Sequence, residues 1–86
     1  MAEYTVTFAR SARRELEALP TSVIRRILLK IEALATNPRP AGCRKLVGEK
    51  DLWRIRIGDY RVIYHVLDKE HTVDIVAVRN RREAYE

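Results

Sequence analysis

Apolar and polar residues change period several times along the chain, and the changes mark its elements. From Glu3 to Phe8, Tyr4, Val6 and Phe8 alternate with Thr5 and Thr7, which is the period-two pattern of a half-buried strand. From Ala9 the period becomes helical. Ala12, Leu16 and Leu19 recur with charges between them and predict a short helix reaching about Leu19. Pro20 interrupts it, and Thr21 or Ser22 is placed to cap a second helix. Val23, Ile24, Ile27, Leu28, Ile31, Leu34 and Ala35 give that helix a continuous apolar stripe, with Arg25, Arg26, Lys30 and Glu32 over other parts of its surface. The two joined tightly make an αα-hairpin.

Asn37-Pro38-Arg39-Pro40-Ala41-Gly42 stops the second helix, because proline cannot continue the hydrogen-bond ladder. A loop extends through Lys45-Leu46-Val47-Gly48-Glu49-Lys50. Strands are then predicted over Leu52 to Ile57, Tyr60 to Leu67 and Thr72 to Arg79. Gly58-Asp59 suits a two-residue type II′ turn, so the first two pair as a hairpin. Asp68-Lys69-Glu70-His71 supplies the next turn. The order β-α-α-β-β-β implies an α+β fold: a small, mostly antiparallel sheet carrying an N-terminal helical hairpin on one face.

Alternation sorts the strand residues by face. Trp53, Ile55 and Ile57 share one face of their strand, with Leu52, Arg54 and Arg56 on the other. In the next strand Arg61, Ile63, His65 and Leu67 oppose Tyr60, Val62, Tyr64 and Val66. After Asp74 the third strand is apolar on both faces, which marks a central position. Arg79, Arg81 and Arg82 gather at its end, with Tyr85 just beyond. Arg54 and Arg56 taken singly fit an ordinary solvent-facing strand, and Arg61 could pair with Asp59 or Asp74. Their convergence on adjacent strands and the chain end is what suggests a single basic surface.

Composition sharpens this picture. Eighty-six residues allow one domain, spanning 1–86, with one core. The formal net charge is +5, and arginine outnumbers lysine 13 to 4. A guanidinium presents fixed paired donors to phosphate and a flat face to bases, so this bias favours a nucleic-acid partner. Cys43 is the only cysteine, which excludes an internal disulfide and makes a cytoplasmic location the default. No apolar run approaches transmembrane length. Zinc spacing, a glycine-rich phosphate loop and a Ser/His/Asp set are all lacking, and His65 and His71 are poorly placed to work as an acid/base pair.

Lys45-Leu46 before the hairpin, Asp59-Tyr60-Arg61-Val62-Ile63-Tyr64, and Arg79-Asn80-Arg81-Arg82-Glu83-Ala84-Tyr85 resemble the RelE family of toxin endoribonucleases, within the wider RelE/ParE group. The Tyr-Arg-Val-Ile-Tyr segment is shared across the whole group. The terminal arginines and tyrosine look like the RelE nuclease branch rather than the gyrase-poisoning ParE branch. The resemblance implies cleavage of messenger RNA in the ribosomal A site, without metal or other cofactor, by attack of the substrate's own 2′-hydroxyl. It also implies silencing by a cognate RelB-like antitoxin, with operator DNA met only indirectly through that antitoxin, and no membrane partner.

By position, the resemblance makes Arg54 and Arg56 the counterpart of a basic pair that is commonly lysine in the family. Arg61 matches the arginine after the hairpin tyrosine, Arg81 a leaving-group contact near the terminus, and Tyr85 the terminal tyrosine. These five are the expected catalytic residues. Arg13, Arg25, Arg26, Lys45, Arg79 and Arg82 are the expected contacts to RNA or ribosome. Arginine is effectively never deprotonated, so positions 54 and 56 can hold phosphate but cannot supply a base. A ParE-like gyrase inhibitor without RNase activity and a non-catalytic basic binding module remain the alternatives.

Overall fold

The computed structural model describes residues 3–48 and 50–80. Its elements run β1 (Thr5–Phe8), α1 (Arg10–Glu17), α2 (Thr21–Leu34), β2 (Arg44–Lys45), β3 (Leu52–Ile57), β4 (Tyr60–Leu67) and β5 (Thr72–Asn80). The α+β order expected from the pattern is present, with β2 as an addition. Two residues between loop segments carry no readable period, so only pairing reveals that strand: Arg44 and Lys45 lie antiparallel to Arg54 and Trp53.

The five strands are ordered β1-β5-β4-β3-β2. β2 through β5 pair antiparallel, but β1 runs parallel to β5, so the sheet is mixed. The helical hairpin allows this: it carries the chain across one face between the parallel edge strand and the rest. As predicted, β5 is an inner strand, lying between β1 and β4.

Pro20 occupies the N-cap position of α2, so Thr21 and Ser22 are its first two residues rather than its cap, and no side chain caps it. The Pro20 carbonyl accepts the N–H groups of Val23 and Ile24, each at 3.0 Å. Proline's fixed φ gives a sharp entry into the helix, while its carbonyl begins the ladder. At the β3–β4 turn Gly58 has φ +59, and Asp59 does not share a positive φ, as a type II′ turn requires. The Arg26 guanidinium lies 3.0 Å from where a Cβ on Gly58 would stand. Glycine therefore serves both the turn and the approach of α2.

Ala12 and Leu16 of α1 and Ile27, Ile31 and Leu34 of α2 pack on Ile55, Ile57, Val62, Tyr64, Val66, Val73, Ile75 and Val78. Val6, Phe8 and Trp53 border this core. The helical stripe and one face of the sheet thus meet, and neither described helix packs on the other face. No helix among the described residues is long and apolar enough to cross a membrane.

Candidate functional site

The open face is organised in rows set by strand register. Nearest the β3–β4 turn, Arg56 of β3 stands opposite Arg61 of β4, and Arg61 stands opposite Arg79 of β5. The next row runs Arg44, Arg54, Ile63, Ala77 from β2 to β5. A third holds Leu52, His65, Asp74 and Thr7. Basic charge is thus concentrated at one end of the face, and neither of the first two rows contains an acidic residue. Adjacent strands lie about 4.8 Å apart. Three guanidinium-bearing positions in one row therefore form a rigid cationic strip, and like charges directly opposite cost stability unless an anion lies between them.

A bulge creates the first row. Tyr64 pairs with Ile75 while Ile63 pairs with Ala77, leaving Val76 as an extra residue in β5. Simple alternation from Val73 and Ile75 would have sent Ala77 and Arg79 toward the core. The extra residue exchanges the faces, so Val78 joins the core and Arg79 turns outward beside Arg61. The run Asp74-Ile75-Val76-Ala77-Val78 is apolar at every later position, which hides the change of parity from the sequence.

Glu15, partly buried on α1, fixes the same region from the side. β1 ends at Phe8, opposite Ile75, so β5 continues past it with its backbone uncovered. α1 fills that space. The Val78 N–H donates to Glu15 Oε1 at 2.8 Å, and Arg79 Nε lies 3.1 Å from Glu15 Oε2. One carboxylate thereby satisfies a strand-edge donor and holds Arg79. Glu15 had no distinguishing signal in the sequence, where it reads as one more charge on a short helix.

At the other end, a polar cluster ties the loop after α2 to the sheet. Arg39 Nη2 lies 2.9 Å from Asp68 Oδ2, and the Tyr4 hydroxyl donates to Asp68 Oδ1 at 2.7 Å. The Arg39 guanidinium sits 5.2 Å from the centroid of Trp53, and Tyr4 stacks on His71 at 5.1 Å. Hydrogen bonds from Arg39 and then Tyr4 hold the Asp68 carboxyl below its usual range, and the Asp68 carboxylate raises the Tyr4 hydroxyl. Tyr64, fully buried, donates to the Pro38 carbonyl at 2.8 Å. Burial first, and Cys43 second, push its hydroxyl well above the ordinary tyrosine range. These contacts fix the loop that delivers Gly42 and Arg44 to the basic end.

The structure therefore brings together Arg54, Arg56, Arg61 and Arg79 of the predicted site. Arg81, Arg82 and Tyr85 lie outside the described residues. Lys45 pairs with Trp53 on edge strand β2. Arg26 reaches the Gly58 turn, Arg25 is exposed on α2, and Arg13 is on α1, 3.4 Å from Glu17. These three belong to the helical layer rather than the open face. Asp74, one of the two carboxylates offered to Arg61, accepts from Thr7 Oγ1 at 2.7 Å through its Oδ1, and in register it stands opposite His65. The basic residue that sequence reasoning missed is Arg44, because β2 itself was not legible.

A mixed sheet with a helical hairpin on one face and an arginine strip on the other makes this a small basic α+β protein. The family described as the ParE toxin of type II toxin–antitoxin systems, parDE, matches residues 6–85. Toxin RelG of Mycobacterium tuberculosis is 33% identical over 86 residues, with 95% of each chain covered. The fold matches the archaeal RelE–RelB complex from Pyrococcus horikoshii OT3 with a TM-score of 0.82 and 34% identity, covering 92% of this chain and 96% of that one. It matches the isolated Escherichia coli RelE toxin with a TM-score of 0.80 and 26% identity, covering 90% and 83%. The chain belongs to the RelE/ParE family of type II toxins and is of the RelE type.

Proposed function

We propose that this toxin is a ribosome-dependent, metal-independent endoribonuclease that cuts messenger RNA in the A site and so inhibits translation. The observation that carries the reading is the row Arg56, Arg61, Arg79, with Arg54 beside it, on an open sheet face. In the proposed reaction the 2′-hydroxyl of the RNA attacks the adjacent phosphorus, and the 5′-oxygen of the next nucleotide leaves. The pentacovalent intermediate gains negative charge, which preorganised guanidinium groups stabilise without reorganisation. Arg54, Arg56 and Arg61 take that role, and Arg79, held by Glu15, contributes to RNA binding. Tyr85 takes the role of proton acceptor and Arg81 that of leaving-group contact, as the family resemblance implies. Lys45, Arg82, Arg13, Arg25 and Arg26 complete the contacts to RNA or ribosome.

The ribosome supplies what this small site lacks: a fixed substrate geometry, which can account for a large part of a rate enhancement. That places the toxin in the cytoplasm. A RelB-like antitoxin is the natural partner, since solved relatives include RelE–RelB complexes. A groove of about 280 Å³ lined by Phe8, Leu16, Ile24 and Leu28, with Arg13 and Glu17 at its rim, offers it apolar anchors on the helical layer.

The family description also names ParE, so the deciding experiment reads both activities. Primer extension on mRNA after induced expression, run beside a DNA-damage reporter, should give codon-phased cuts within translated regions and no DNA breaks. DNA breaks without RNA cuts would make the chain a gyrase inhibitor instead.

A further inference from the structure

Beyond the arginine row, the edge of the open face holds a cleft of about 260 Å³ lined by Gly42, Arg44, Arg54 and Arg56. Arg44 belongs to β2 and stands directly opposite Arg54, while Arg56 follows two residues along β3 on the same face. Among the described residues, neither the Arg44 nor the Arg56 side chain makes a hydrogen bond or ion pair. A Cβ placed on Gly42 would meet nothing within 4 Å, so that side of the cleft is open to a ligand. Guanidinium groups converging on one opening, with like charges registered across a strand pair, form a seat for an anion.

We propose that this cleft is a second phosphate seat, in which Arg44 binds an RNA phosphodiester next to the one held at the Arg56–Arg61 row. The inference rests on the RNA-cleaving reading for its ligand, but its anion chemistry stands on the cleft alone. Arg44 stands opposite Arg54 and is therefore a diagonal neighbour of Arg56; such positions lie about 7–8 Å apart, within reach of the next phosphate along one strand. The polynucleotide would cross the sheet from the inner strands toward the β2 edge. Arg44 is a positioning residue: it fixes the register of the RNA on the sheet and touches no reacting atom. The loop cluster of Arg39, Asp68 and Tyr64 holds β2 where this contact can form.

Two measurements test it. In the first, thermal unfolding of the free toxin is compared in inorganic phosphate and in chloride at equal ionic strength. The wild type should melt higher in phosphate, through preferential binding to the folded state. Arg44→Ala should lose part of that difference, the share of the second seat, Arg44→Lys should lose less, and Lys30→Ala on α2 should keep all of it. No phosphate-specific rise in the wild type, or an equal loss in Lys30→Ala, overturns the seat. In the second, cleavage on programmed ribosomes is followed against toxin concentration. Arg44→Ala should raise the half-saturating concentration several-fold and leave the saturating rate unchanged. The salt slope of apparent affinity should fall by about 0.7, the loss of one single-strand phosphate contact. A lowered saturating rate, or no change in either quantity, overturns the positioning role. A wild type inactive on ribosomes would defeat the RNase reading, while the phosphate measurement would still decide the cleft.

Discussion

At the scale of single residues, burial and partnership distinguish side chains that look alike in the sequence. The chain's arginines include Arg13 and Arg39, which pair with carboxylates, and Arg79, which is held by Glu15. Arg61 lies at the centre of the first row, between Arg56 and Arg79. Replacing it, or Arg81, with alanine should relieve growth arrest and leave the protein soluble. Loss of one preorganised charge contact corresponds to about 2.7–4 kcal/mol of transition-state stabilisation, or roughly 10²–10³ in rate. A soluble Arg61→Ala/Arg81→Ala double variant with full toxicity would exclude these residues from the site. Tyr64 is a residue of the opposite kind, buried for structure. Tyr64→Phe leaves the Pro38 carbonyl without its donor and should cost about 1 kcal/mol in chemical denaturation. Its folded pKa is raised, so the stability linked to its proton is fully present below the unfolded value of about 10 and is lost as pH rises toward the folded one. The wild type should therefore weaken steeply above pH ~10, and Tyr64→Phe should show a shallower decline over the same range.

At the scale of elements, α1 and β5 depend on each other. β5 outlasts β1, and the bulge at Val76 turns its last residues, so an uncovered backbone donor and an outward arginine occur side by side. Glu15 answers both. Glu15→Gln keeps an acceptor for the Val78 N–H and loses only a partly exposed ion pair, so its cost should stay below about 1 kcal/mol. Glu15→Ala leaves the donor without a partner and should cost about 1–3 kcal/mol. Equal stability of the two variants in urea would show that the strand-edge contact contributes nothing. In cleavage on ribosomes, both should weaken toxin binding more than the saturating rate, because Arg79 loses the carboxylate that positions it.

At the scale of the whole molecule, the two layers present different surfaces. The sheet presents cations and the helical layer an apolar groove, with the core between them. An antitoxin that spans both needs an acidic or amphipathic segment, which speeds encounter by charge and holds by apolar anchors. Leu28→Asp should weaken capture by the antitoxin while toxicity without antitoxin persists; unchanged affinity would remove the groove from the interface. Hydrogen exchange on the bound toxin should show added protection around Arg79 to Tyr85 and on at least one helix, and its absence from both regions would refute this mode of inhibition. The purified toxin should barely cleave naked RNA and should cleave mRNA on a programmed ribosome without added metal. Strong cleavage of free RNA, or loss of activity in EDTA with ribosomes kept intact, would contradict the proposed reliance on positioning.

The sequence by itself determined the elements whose periodicity repeats: the Val23 to Leu34 stripe, the alternation of β3 and β4, and the Gly58-Asp59 turn. Burial on one face selects apolar residues at a fixed spacing, and that spacing survives in one dimension. It also placed Arg54, Arg56 and Arg61 together, because a two-residue turn fixes the register of the strands it joins. Only the tertiary structure decided the rest. β1 joins β5 in parallel across most of the chain, and no local pattern encodes a partner so distant in sequence. The two-residue β2 has too few positions to show a period, so Arg44's place beside Arg54 came to light only once its partner strand was in place. The Val76 bulge exchanges the faces of β5 inside an apolar run where both parities read alike, and it alone turns Arg79 to the basic face. Pairing energy depends on what lies opposite a residue, and that neighbour is not written next to it in the chain.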